Sequence, residues 1–300
     1  SFFTGLGQTL VNLSIFVFPL IFFGTKGSLP TWIYASFFFG AICSVGSVWW
    51  SMRSTSEIPP TTEELAEMKA NPLSILTPFK EIPKAIVEMP KIMWQLALVY
   101  LFQWYALFCY WQNAAESVAQ SVWKTTDYSK DNLLYKNALS WIGLVNGWYN
   151  IVMFLVAFSL VYFAKKYSPK MVHAFCLVLA GIGFLAFPMI ENKYLLFPAI
   201  TGFGIGWASM MGIPYLIVVG AIPKERYGVY MGIINMMIVI PMLIQTLSFG
   251  YILKNFLNND PGKAITFAGV LLLISAVATL LIKSDNKVDI ENIPMSGGGH

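Results

Sequence analysis

The sequence predicts an all-α polytopic membrane protein, and two observations carry that prediction. Hydrophobic residues make up 57% of the 300-residue chain and charged residues 11%, against roughly 45–50% and about 25% in soluble domains. Eight apolar runs, near 1–23, 31–50, 92–115, 138–163, 171–189, 195–220, 229–252 and 264–282, contain no Asp, Glu, Lys or Arg. Each is close to the ~18–20 residues that cross a bilayer core. A water-soluble helix of that length would show a charged face.

Charge placement sets an expected orientation, because Lys and Arg collect on the cytoplasmic side. With eight spans both ends of the chain fall on one side. That side holds twelve basic residues, among them Arg53, Lys69, Lys91, Lys165, Lys170, Arg226 and Lys283, against seven opposite, from Lys26 to Lys263. The chain is therefore expected to be a multi-pass cell (inner) membrane protein with both of its ends cytoplasmic. Cys43, Cys109 and Cys176 all lie inside apolar runs, with neither a disulfide framework nor metal-ligand spacing. No cofactor, metal, nucleic-acid partner or catalytic residue is expected. The chain opens inside a hydrophobic helix without an initiator Met, which reads as the C-terminal portion of a longer protein.

In chain order, the first run carries Gln8 and Asn12 on one stripe, either as glue between helices or as contacts to a polar solute. The second, ending at Trp49-Trp50, reads as a packing helix. Residues 51–91 form the long polar connection. A capping box at Thr61-x-x-Glu64 opens a short helix, and Pro72, Pro78, Pro83 and Pro90 then break the chain. Its interleaved lysines and apolar residues suit a segment lying along the headgroups.

The third run is the richest. Tyr105, Cys109, Gln112 and Glu116 recur on one helical face, flanked by Trp104, Phe108 and Trp111. Rings beside amides suit a carbohydrate: the ring stacks on the apolar face of a pyranose while the amide bonds its hydroxyls. The fourth run repeats the theme with Asn146, Tyr149 and Asn150, where helix packing is an equal reading. The fifth offers His173, read as structural. In the sixth, Gly202-x-x-x-Gly206, Trp207, Gly212, Pro214 and Tyr215 suggest a loosened helix. The seventh places Gly228, Gly232, Asn235 and Gln245 on roughly one face, kinked at Pro241. The eighth is apolar throughout and reads as lipid-facing. The tail over 283–300 is polar, Gly-rich and expected to be disordered.

Pro223-Lys-Glu-Arg226-Tyr-Gly228, followed by Tyr230-Met-Gly232-Ile-Ile-Asn235, resembles the loop between helices ten and eleven of major facilitator transporters. With Met236-Met-Ile-Val-Ile-Pro241-Met and Phe102-Gln-Trp-Tyr-Ala-Leu-Phe, the chain is similar to the sucrose/maltose-type sugar–proton symporters, relatives of the glycoside-pentoside-hexuronide transporters. The resemblance implies the major facilitator fold, with the eight runs as helices five to twelve of twelve. It also implies a division into the last two helices of an N-terminal bundle (1–50), an inter-bundle loop (51–91) and a C-terminal six-helix bundle (92–282). The family's second cytoplasmic motif falls at Ala164–Lys170, where Lys165 stands for its acid and Ser168 for its glycine.

The function so implied is proton-coupled uptake of a disaccharide or related glycoside by a monomer in the lipid bilayer. A major facilitator transporter for another small solute, or a drug exporter, is the alternative. Substrate contacts are expected from Gln8, Asn12, Trp104, Tyr105, Trp111, Gln112, Asn146, Tyr149, Asn150, Trp207, Tyr215, Asn235 and Gln245. Gating is expected from Pro223, Arg226, Gly228 and Gly232. No carboxylate lies within the eight runs, so the coupling acid is expected in helices that precede this sequence.

Overall fold

The computed structural model describes residues 18, 21–22, 25–26, 29–54, 62, 77–129, 131–219, 222 and 227–283. Among them, seven helices are long and apolar enough to cross a membrane. The chain forms two compact units, one built from described residues within 11–87 and one running from Glu88 onward. In the first, Thr25–Lys26 and Leu29–Pro30 pair as a minimal antiparallel hairpin, which leads into helix α1, Thr31–Ser54. The basic Arg53 at its last turn lies over the Trp49 ring, 4.8 Å from the centroid, a cation–π contact suited to a membrane interface. Helix α2, Thr77–Val87, contains Pro83. The sequence predicts that prolines break this stretch. Pro78 sits instead in the first turn, where its missing N–H has no helical partner to lose. The capping box at Thr61–Glu64 and the tail beyond Lys283 lie outside the described residues.

The second unit carries α3 Lys91–Ser121, α4 Leu133–Lys166, α5 Pro169–Ala186, α6 Leu196–Met210, α7 Ile213–Val219, α8 Tyr227–Asn255 and α9 Pro261–Leu280. Two of the starts carry side-chain caps. Asn132 caps α4 by accepting from the Leu134 amide at 2.9 Å. Asp260 caps α9 through the Gly262 and Lys263 amides at 2.8 and 3.3 Å, with Pro261 in the first turn. Asn258 and Asn259 take the left-handed conformation just before it, which asparagine tolerates better than most side chains. At the opposite end of α9, Lys170 donates to the Ile282 carbonyl at 3.0 Å, a cation placed at a helix C-terminus. The same region contains Ser168 as the residue before α5, at φ −74°. The position therefore does not need the glycine of the family motif.

Packing follows small residues. Helix α6 crosses α5 so closely that a Cβ at Gly202 would run into the Leu179 carbonyl, and a Cβ at Gly204 would lie 2.7 Å from the Tyr149 carbonyl of α4. These glycines let the backbones touch rather than loosening the helix, which was the sequence reading. The loosening occurs further on: the sixth apolar run breaks at Met211–Gly212 into α6 and α7, ahead of Pro214. Helix α9 corrects a second reading. It packs between α3 and α5, burying Ala264, Ala268, Gly269, Leu272, Ser275 and Thr279. Ser275 donates to the Val99 carbonyl of α3 at 2.9 Å. The small side chains of this stripe permit the approach, while Val270, Val277 and Leu281 face outward.

Candidate functional site

Helix α3 is the spine of the site. Its Tyr105–Cys109–Gln112 face meets α8. The Tyr105 hydroxyl and Ser248 Oγ are 2.9 Å apart, and the Tyr105 ring packs edge-on against Phe249 and Phe267. Gln245 is fully buried and donates from Nε2 to Gln112 Oε1 at 2.9 Å and to Cys109 Sγ at 3.7 Å. The helical spacing of 105, 109 and 112 thus marks a real face, and its partner is one amide on α8.

A second face of α3 turns toward α6. The Trp104 and Trp111 rings lie edge-on to Trp207, with centroids 5.8 and 5.6 Å away. Trp104 and Trp207 are buried, while Trp111 is 37% exposed beside an exposed Gln112. Tyr149 of α4 has Trp111 and Asn150 as polar neighbours of its hydroxyl and packs on Phe203 at 4.8 Å. Asn146 accepts from the Tyr110 hydroxyl at 2.9 Å, and its carbonyl accepts from Asn150 Nδ2 at 2.8 Å. Asn146 therefore ties α4 to α3, the packing alternative in the sequence reading.

Nine of the residues chosen from sequence gather in this way around α3: Trp104, Tyr105, Trp111, Gln112, Asn146, Tyr149, Asn150, Trp207 and Gln245. Tyr215 lies half-buried on α7. Asn235, Gly228 and Gly232 are exposed on α8, whereas Gln245 is buried, so the seventh run does not present these positions on a common surface. Gln8, Asn12, Pro223 and Arg226 lie outside the described residues.

Three of the gathered residues hold buried polar atoms with no protein partner: Trp104 Nε1, Asn150 Oδ1 and Gln245 Oε1. Each such atom costs on the order of 1–3 kcal/mol when left unpaired, so an orphan in a native fold asks for water or a ligand. The set comprises one donor and two acceptors, all uncharged.

The sequence reading gave no site role to a neighbouring network. His173, fully buried on α5, places Nδ1 2.7 Å from Ser209 Oγ of α6 and Nε2 3.3 Å from Gln103 Oε1 of α3. Gln103 and Ser209 are also fully buried. They stand one residue before Trp104 and two after Trp207, so this network joins the helices that carry the tryptophan pair. Its signal in the sequence was a single histidine, which cannot announce its partners.

Glu116, the acid at the far end of the α3 face, lies outside this cluster. It acts on Tyr128, whose hydroxyl is pushed above its usual range first by burial and then by Glu116 and Asp260. Nearby Lys124 and Glu191 form an exposed ion pair at 2.5 Å. Among the described residues no group of three His, Cys, Asp or Glu side chains is placed to hold a metal ion.

The sequence profile of the Major Facilitator Superfamily matches residues 1–246. The chain belongs to this superfamily. The seven apolar helices among the described residues make it a multi-pass membrane protein of the major facilitator fold, and membership makes it a transporter of small molecules. No curated protein matches the chain.

Proposed function

We propose that this major facilitator protein is a secondary active sugar transporter, taking up a disaccharide or related glycoside with protons by alternating access. One observation carries the substrate class: the residues gathered on α3, α4, α6 and α8 are indoles, phenols and carboxamides, with no acid or base among them. Their orphaned atoms include both a donor and acceptors. A neutral polyhydroxylated ring with apolar faces matches that set: hydroxyls both give and accept hydrogen bonds, and C–H faces lie against indole. A carboxylate or phosphate would need a cation here.

Proton coupling and the cytoplasmic placement of the chain's two ends rest on the resemblance to sugar–proton symporters and on the lysine bias. On this reading residues 51–91 link the two bundles, and Pro223, Arg226, Gly228 and Gly232 act in gating. A monomer suffices for this cycle.

Equilibrium binding to the purified full-length protein tests the substrate class. A panel of mono- and disaccharides should include ligands, and a panel of lipophilic cations should not. Binding of the cations alone would favour the exporter reading and overturn this one.

A further inference from the structure

We propose that Gln112 and Gln245 form an exchangeable amide pair, opened by two adjacent hydroxyls of the substrate. The inference rests on the sugar reading of the site.

Within its unit α8 packs chiefly on α3. The buried stripe of α8 runs from Tyr230 through Ile234, Met237 and Pro241 to Phe249, and Gln245 is the polar residue in it. A lone carboxamide on an apolar stripe is costly unless its groups are paired. Here only half of it is served. Nε2 bonds Gln112 and touches Cys109, while Oε1 is buried without a partner. Gln112, by contrast, is exposed. The pair thus has one open side, where Gln112 is reachable, and one unmet acceptor.

A hydroxyl inserted between the two side chains accepts from Gln245 Nε2 and donates to Gln112 Oε1, so no hydrogen bond is lost. One link of 2.9 Å becomes two. With ordinary lengths near 2.8 Å meeting at a tetrahedral oxygen, the amides then stand about 4.6 Å apart, so α8 moves from α3 by somewhat under 2 Å. A second hydroxyl on the neighbouring carbon, gauche to the first, reaches Gln245 Oε1 and satisfies it. The pair therefore selects a vicinal diol. It also converts occupancy into a displacement of α8 that pulls on the neighbouring Tyr105–Ser248 bond, one turn along the helix.

The test is isothermal binding of sucrose and maltose, with their monodeoxy analogues, to full-length wild type, Q112A, Q245A and Q112A/Q245A. Each single variant should bind the parent sugar about ten-fold more weakly or worse, and the double variant should fall within about three-fold of the singles, because both amides serve one hydroxyl pair. The monodeoxy sugar that binds wild type most weakly should bind Q245A as well as its parent does. Q245M, close in volume, carries the same expectation and guards against a variant that does not fold. Losses that multiply in the double variant, or unchanged affinity in either single, overturn the exchange while leaving the sugar reading in place. A wild-type protein that binds neither sugar nor any other saccharide overturns both.

Discussion

Replacing His173 by leucine removes the centre of the network that joins α3, α5 and α6. The substitution leaves Ser209 Oγ and Gln103 Oε1 buried without their present partners, now 2.7 and 3.3 Å from the imidazole. Interhelical hydrogen bonds inside membranes average only about 0.6 kcal/mol and reach ~1.7 kcal/mol. Two of them give a lower bound near 1 kcal/mol, and stranding buried polar atoms raises the loss toward about 3 kcal/mol. At roughly 2–4 °C per kcal/mol for a large domain, the expected fall in Tm is about 2–12 °C. Cys109 and Cys176 are buried free thiols, so a thiol-reactive fluorophore reports unfolding directly once the exposed Cys43 is replaced by serine. H173Q retains a donor and an acceptor and should recover at least half of the loss. An H173L protein that melts with or above the parent would refute the claim that this network holds the helices together. The imidazole would then be a space-filling group.

Three further outcomes can be measured alongside it. Gly204→Leu should lower Tm in the same assay by the equivalent of ~1–3 kcal/mol, because its Cβ would lie 2.7 Å from the Tyr149 carbonyl. Gly143→Ala, where a Cβ meets nothing within 4 Å, should leave stability unchanged or raise it by up to about 1 kcal/mol; equal effects at both positions would contradict the packing assigned to α6. Cysteine at Asn235 should react with a charged thiol reagent at least ten times faster than cysteine at Gln245, since Asn235 is exposed and Gln245 buried; an unreactive thiol at 235, with transport retained, places that side of α8 in lipid rather than along a wet path. Arg226→Ala should slow transport with equilibrium sugar binding nearly unchanged, as expected of a gate, and parallel loss of both would argue for a direct ligand role.

The helices were legible because lipid removes the ambiguity of soluble patterns: charge-free runs of spanning length admit few other readings. Their ends were less so. Helix α3 continues to Ser121, through Gln112, Asn113 and Glu116, because a helix can outlast its apolar stretch where neighbouring helices and interface accept polar side chains. The face at 105, 109 and 112 was visible from its period. Its partner was not, since periodicity says which residues share a surface and nothing about what packs there. Apolar runs are equally silent on which side is buried, so α9 looked lipid-facing although its alanines, Gly269 and Ser275 make it a central packing element. In lipid, outer and inner faces are alike apolar, and the small-residue stripe is the cue that separates them. His173 marks the same boundary, because one residue type carried the signal and the geometry of three helices carried its meaning.

Uptake into proteoliposomes tests the central claim most directly. Purified full-length protein would be offered radiolabelled sucrose, maltose and a panel of monosaccharides, with and without an inward proton gradient. The account predicts accumulation of at least one disaccharide or glycoside, driven by the gradient and abolished by a protonophore. It also predicts an apparent affinity weakened about ten-fold or more in Gln112→Ala, the cost of one lost buried hydrogen bond. Accumulation of no sugar by protein that transports another class of solute under the same gradient would contradict it.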